Sequence, residues 1–214
     1  MRAGVVGASL QPPPPWKWHV DSMEVGSFLR DDSDWATVVI DSNRESSNEF
    51  KVVEDEIGKY LLHYTGSGLA YNTYTAYYQP NWYSYTDITA VIGGTSPMSV
   101  TGSLVRRGSG FGGYYTVLEG TSSFTIRRGD SNQNKTVIAS LTLPHTASTE
   151  KWSLRTQAVG SSIRAKAWRY IDPEPNEWQL EVRDETFPQG RVGFVAWGRS
   201  STVRRAYWSI ESKV

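Results

Sequence analysis

The sequence predicts an all-β domain, built from short antiparallel strands packed as a sandwich or a barrel. Three observations carry this. The first is a period of two along the C-terminal half. In KWSLRTQAV, Trp152, Leu154, Thr156 and Ala158 fall on one face and Ser153, Arg155 and Gln157 on the other. In SIRAKAW, Ile163, Ala165 and Ala167 alternate with Arg164, Lys166 and Trp168. In EWQLEVR, Trp178, Leu180 and Val182 oppose Gln179, Glu181 and Arg183. Side chains alternate across a strand, so this pattern means one buried face and one wet face. The second observation is punctuation: each run is closed by a Gly, Asp, Asn or Pro turn signal, the spacing of an antiparallel all-β domain. The third is length. A chain of 214 residues has enough surface to bury one sizeable core, and all-β domains of this size are often single.

The string LVRRGSGFGGYYTVLEG, continued by SFTIRRG, TVIASLTLP, EKWSLRTQAVGSSIRAKAWRYIDPEPNEWQLEVRDETFPQG and RVGFVAWG, resembles the concanavalin A-like, laminin-G-like jelly-roll modules of phage structural proteins and secreted bacterial proteins. The run from Trp168 through PEP to Trp178 and Leu180, followed by GRVG, is the most specific part. The resemblance covers Trp35 to Ile210. It implies an antiparallel two-sheet jelly-roll sandwich over residues 31–214, preceded by an extended Pro-rich arm over 1–30. It does not imply one function, since this fold carries lectins, hydrolases and plain structural modules.

Composition narrows the partners. The formal net charge is +0, which argues against nucleic-acid binding held by phosphate contacts. The first 60 residues hold 6 Lys/Arg against 11 Asp/Glu, and the remainder 16 against 11. Such a split would favour head-to-tail contacts between copies, although it is more often incidental. There is no cysteine, so neither disulfides nor thiolate metal sites are expected. No apolar run reaches the length of a membrane helix, and MRAGVVGASLQPPPP is too short and polar for a secretory signal. A phage protein released by lysis reconciles the missing signal with a resemblance to extracellular modules.

Within the N-terminal segment, Pro12, Pro13, Pro14 and Pro15 favour an extended polyproline helix. The flanking Trp16 and Trp18 are too apolar to leave wet. The six residues read as a strap, on a neighbouring subunit or on its own domain. DDSDW at Asp31–Trp35 has acids at alternate positions but neither the Gly nor the distal Glu of a Ca²⁺ loop, so a solvated turn is expected and no metal site. WATVVIDS and EFKVVEDEIGKYLLHYTG read as a strand followed by a hairpin, with Glu54, Asp55 and Glu56 at its tip.

The segment LAYNTYTAYYQPNWYSY, 69–85, concentrates aromatic residues. Aromatic faces stack on sugars, and Tyr brings large contact area at low rotamer cost. Ile88, Ala90 and Ile92 point inward in the strand that follows, which puts Tyr83 and Tyr85 on the opposite face. The segment reads either as rings that partly line the core and cover a sheet edge or as a contact surface; on the second reading Tyr77, Tyr78, Trp82, Tyr83 and Tyr85 are the expected binding surface for glycan or protein. Gly108, Gly110 and Gly113 formally match G-x-G-x-x-G, but strand-like sequence follows, so a hairpin loop is expected rather than a phosphate cradle. Arg128, Gly129 and Asp130 form an RGD at another hairpin tip, read as a polar turn. IDPEPNEW is a rigid loop fixed by its prolines. Trp152, Trp178 and Leu180 are expected in the core. The last strand, TVRRAYWSIES, lacks the acidic pair with which relatives tend to end.

No catalytic residues are assigned. His19, His63 and His145 have no companions suggesting a metal or a triad, and HExxH and GxSxG are absent. Laminarinase-like jelly rolls use a Glu-x-Asp-x-Glu strand, and Glu181, Asp184 and Glu185 have the wrong spacing. The expected function is a non-enzymatic bacteriophage virion-surface module (tail, fibre or capsid-decorating), outside the cell after lysis and without a cofactor. Its expected partners are other virion proteins, copies of itself, or a bacterial cell-surface glycan. A lectin-like carbohydrate-binding adhesin is the alternative, followed by a glycoside hydrolase.

Overall fold

A computed structural model describes residues 17–27, 35–40, 50–55, 58–64, 72–78, 83–93, 99–108, 112–120, 122–130, 134–144, 151–198 and 204–212. Among these residues the chain forms strands and one 3-10 turn, Val20–Ser22. The strands are β1 (Lys17–His19), β2 (Trp35–Ile40), β3 (Phe50–Asp55), β4 (Gly58–Tyr64), β5 (Asn72–Tyr78), β6 (Thr86–Gly93), β7 (Ser99–Arg107) and β8 (Gly113–Glu119). They continue as β9 (Ser123–Gly129), β10 (Lys135–Thr142), β11 (Trp152–Val159), β12 (Ser162–Arg169), β13 (Leu180–Arg183), β14 (Arg191–Gly198) and β15 (Arg204–Ser212). One sheet runs β13-β12-β11-β6-β15-β4-β3, with β1 also on β15; the other runs β10-β9-β8-β7-β14-β5-β2. All the pairings are antiparallel. The alternation predicts an antiparallel sandwich or barrel, and the two sheets observed are the concanavalin A-like sandwich that the resemblance implies.

The alternating residues explain the packing. Ile88, Ala90, Ile92, Trp152, Leu154, Ala158, Ile163, Ala165, Ala167 and Leu180 of the first sheet meet Val105, Tyr114, Phe124, Ile126, Phe194 and Ala196 of the second in one buried cluster. The Ser103 and Thr156 hydroxyls hydrogen-bond across the two sheets at 2.9 Å, which satisfies both. The second sheet buries a smaller cluster of Val100, Leu104, Tyr115, Val117 and Val195. The expected hairpins form: Gly108 N–H donates to Gly112 O beside the glycine-rich loop, and β9–β10 carries the RGD tip, where Asp130 accepts from Asn134.

Three expectations are corrected. Trp18, read as part of an assembly strap, belongs to the sandwich. It pairs with Ile210 across β1 and β15, is 7% exposed, and sets its ring edge-on to Phe194 at 5.8 Å. Val20 and Met23 are buried with it, so the described part of the 1–30 segment, 17–27, anchors to the sandwich through these three side chains while most of its other residues stay exposed. The physical reason is area: a Trp ring brings 150–250 Å² of surface, roughly, that a nearby sheet can take from water. Pro12, Pro13, Pro14, Pro15 and Trp16 lie outside the described residues. Trp178, read as core, is only half-buried. The strand β13 begins at Leu180, so alternation does not extend back to residue 178, whereas Trp152 and Leu180 are buried as expected. Finally, the polar face of β6, β11 and β12 is not wet: Asp87, Thr89, Gln157 and Lys166 are all buried.

Candidate functional site

The polar outer face of the first sheet is closed by the loop between β12 and β13. Asp87 on β6 is 2% exposed and receives Arg155 Nε at 2.8 Å, Arg155 Nη2 at 2.9 Å and Gln157 Nε2 at 2.6 Å. Arg155 Nη1 reaches Glu174 in the loop at 2.6 Å. Lys166 donates to Pro175 O at 2.5 Å and pairs with Glu174 at 2.9 Å. Over this layer lies the Trp178 ring, 4.8 Å from Arg164, 5.0 Å from Lys166 and 5.4 Å from Arg155. The indole face carries the negative end of the ring quadrupole, so three cations hold the roof down. Hydrogen bonding to Asp87 raises the Arg155 pKa, against its burial. Burial pushes the Glu174 carboxyl up, but Lys166 and Arg155 outweigh it and hold it below its ordinary value.

Asp184 forms a second network. Burial pushes it up, while bonds from Thr186, Tyr114 and Arg128 bring its pKa below the ordinary value. Tyr114 donates its hydroxyl at 2.8 Å, and burial is the main cause lifting that phenol to about 12. Arg128 of the RGD reaches Asp184 at 2.6 Å, which ties that tip to the sandwich.

The third place is open. A pocket of about 560 Å³ is lined by Ser84, Arg106, Gly160, Ser161, Glu185, Pro188 and Gln189. Four parts of the chain supply it: the segment before β6, the end of β7, the β11–β12 turn and the β13–β14 loop. Its size lies within the usual range of small-ligand sites. Local sequence explains each wall. Val159 and Ser162 pair directly, leaving a two-residue turn whose Gly160 sits at φ +56°; a tight hairpin asks for positive φ there and glycine supplies it without strain. Gly190 opens the GRVG motif. A Cβ on it would lie 2.3 Å from the Arg106 carbonyl carbon, and its N–H and C=O bond Tyr83 at 3.1 and 2.9 Å. Only a residue without a side chain lets these backbones meet.

Arg106 closes the inner end. The β7–β14 register shifts between Arg191 and Gly193, opposite Arg106, whose φ is +52°. Such a bulge re-aims a side chain and holds a strained backbone. The guanidinium donates to Gly160 O at 2.7 Å, Phe187 O at 3.1 Å and Ser84 O at 2.7 Å. It thereby ties together three of the segments that build the pocket. Burial lowers its pKa from the ordinary value.

The sequence-predicted binding residues do not gather here. Tyr83 is 7% exposed and packs in the main core, which corrects its reading as an outward ring. The segment bends at Ser84 and Tyr85 before β6 starts at Thr86, so alternation cannot be carried back through it. Tyr85 is half-buried. Tyr77 and Tyr78 lie on β5, opposite Gly193 and Trp35 in the backbone register, and their side chains lie outside the described residues. Trp82 lies outside them altogether, as do Asp31–Asp34. Among the described residues, no group of three or more His, Cys, Asp or Glu is placed to hold a metal ion. The pocket residues Ser84, Arg106, Ser161 and Gln189 were not singled out from sequence, and Glu185 was weighed only as a catalytic carboxylate and set aside for its spacing. The GRVG motif was the one available signal, and it marked the wall rather than the lining.

Solved structures share this sandwich. It is similar to the exoplasmic/lumenal domain of VIP36 in its Ca²⁺/Man3GlcNAc-bound form, with 10% identity, 86% of this chain and 85% of that one covered, and a TM-score of 0.54. It is similar to the carbohydrate recognition domain of Emp46p in its potassium-bound form, with 15% identity, 88% and 92% covered, and a TM-score of 0.57. It is also similar to a native glycosidic hydrolase, with 10% identity, 92% and 94% covered, and a TM-score of 0.62. At these identities the likeness is one of fold. No protein-family model matches the chain, and no curated protein matches it.

Proposed function

We propose that this chain is a non-enzymatic glycan-binding module, displayed on a bacteriophage surface, whose ligand site is the pocket above Arg106. The pocket is the observation that carries the reading. It is small, it opens where three connecting segments meet, and Ser84, Ser161, Gln189 and Glu185 bring hydroxyl, amide and carboxylate groups to it. Those groups match a polyhydroxyl ligand, which both donates and accepts hydrogen bonds. The fold relatives named as VIP36 with bound Man3GlcNAc and as a carbohydrate recognition domain support the same class. The phage setting is the sequence resemblance carried forward, and co-purification with tail or capsid protein tests it.

Glycan-array binding by the intact chain is the test of the ligand class. Binding to one or more bacterial surface glycans, lost in Ser161→Trp with an unchanged melting temperature, is the expected result. An array with no bound glycan removes the proposal. The fold of the glycosidic hydrolase favours a second reading, glycoside hydrolysis. That reaction needs one carboxyl held protonated near neutral pH. Among the described residues, Glu174 and Asp184, both outside the pocket, are held below their ordinary values by their hydrogen-bond partners. Release of reducing ends from a β-glucan would favour the second reading.

A further inference from the structure

We propose that the Arg106 pocket selects saccharides carrying a carboxylate, of the uronic-acid class, over their neutral counterparts. This rests on the glycan-binding reading of the same pocket. A guanidinium has five N–H donors and remains charged in proteins. In Arg106, three donors go to the carbonyls of Gly160, Phe187 and Ser84. Its Nε is buried with no partner. Among the described residues no carboxylate pairs with it, although it is 1% exposed. Carbonyl dipoles solvate the cation but leave its whole charge in place. A buried charge is expensive unless an opposite charge accompanies it. The opening next to this charge is the pocket itself, so the missing counter-charge can arrive with a ligand.

The remaining lining selects which anion. Ser161 and Gln189 bring groups that bond sugar hydroxyls, and Pro188 offers an apolar surface for a pyranose ring. Glu185 is exposed at the same pocket. It accepts from hydroxyls and repels densely charged anions such as phosphate or sulfate clusters. One carboxylate, directed inward at Arg106, supplies the missing counter-charge, while the hydroxyls facing Glu185 donate hydrogen bonds to it.

The test is calorimetric titration of the whole chain with uronate-containing bacterial capsular oligosaccharides and with the same oligosaccharides after carboxyl reduction. Carboxyl reduction is expected to weaken binding by about tenfold or more, the usual size of a charge-assisted contact. Ser161→Trp, which puts a bulky ring into the pocket lining and keeps Arg106 itself, is expected to abolish binding of the acidic form. A folded Arg106→Gln is expected to bind both forms alike. Equal affinity of wild type for the two forms overturns the proposal and leaves the glycan reading intact. Acidic-form binding that survives Ser161→Trp overturns it as well, by placing the site elsewhere. Failure to bind either form, together with an empty glycan array, overturns both.

Discussion

Arg155 and Arg106 are two arginines withdrawn from water by the same sandwich, and they are treated in opposite ways. Arg155 meets Asp87 side-on through Nε and Nη2 and reaches Glu174 with Nη1; its pKa is raised. Among the described residues Arg106 bonds carbonyls alone, leaves Nε without a partner and has its pKa lowered by burial. The first charge is neutralised twice and roofed by Trp178. The second is left uncompensated beside an open pocket. A buried charge that is fully paired contributes to a fixed structure, whereas one without its counter-charge is available to a ligand.

The largest effect should come from breaking the paired site. Asp87→Asn keeps the shape but leaves Arg155 without its main partner, and breaking a buried pair typically costs about 3–5 kcal/mol. Urea unfolding at constant m-value is the measurement, and a loss below ~1 kcal/mol would show that the pair is not what holds this face together. Next comes the roof. Trp178→Ala removes a ring stacked on three cations but opens no core cavity. The expected loss is about 1–2 kcal/mol, smaller than the ~3–5 kcal/mol of a buried Trp. A loss in the buried-Trp range would return Trp178 to the core and weaken the contrast.

The smallest effect is on acid stability. The folded Glu174 pKa lies below its ordinary value, so its contribution is present above the unfolded carboxylate pKa, near 4.3. It is lost as pH falls through the folded value. Glu174→Gln should therefore be less stable than wild type at neutral pH by roughly 1 kcal/mol or less, with the difference closing below about pH 4. A difference that persists unchanged into strong acid would mean that Glu174 acts by shape rather than charge. Among the described residues Arg106 has no carboxylate partner to protonate, so affinity of the wild type for a neutral sugar should not follow this acid limb.

Much of the scaffold was legible because alternation is a local property. A residue two positions along a strand faces the same side wherever the strand ends up, so Trp152, Leu154, Ile163 and Leu180 could be placed from sequence. The method failed where strands stop. Trp178 and Tyr83 lie just outside β13 and β6, and extending the alternation to them assigned the wrong environment. Trp18 failed for a different reason. Its partners, Ile210 and Phe194, are far along the chain, and nothing adjacent to it announces them.

The sequence by itself determined the fold class, the hairpins and the inward faces, since these follow from a period of two and from turn residues acting on their immediate neighbours. Only the tertiary structure decided which polar residues are buried and which cation, among the described residues, lacks a counter-charge. Asp87 with Arg155, and Arg106 with the carbonyls of Ser84, Gly160 and Phe187, are separated by between 22 and 81 positions in the chain. Charge compensation depends on distance in space, and that distance is set when the strands and loops pack.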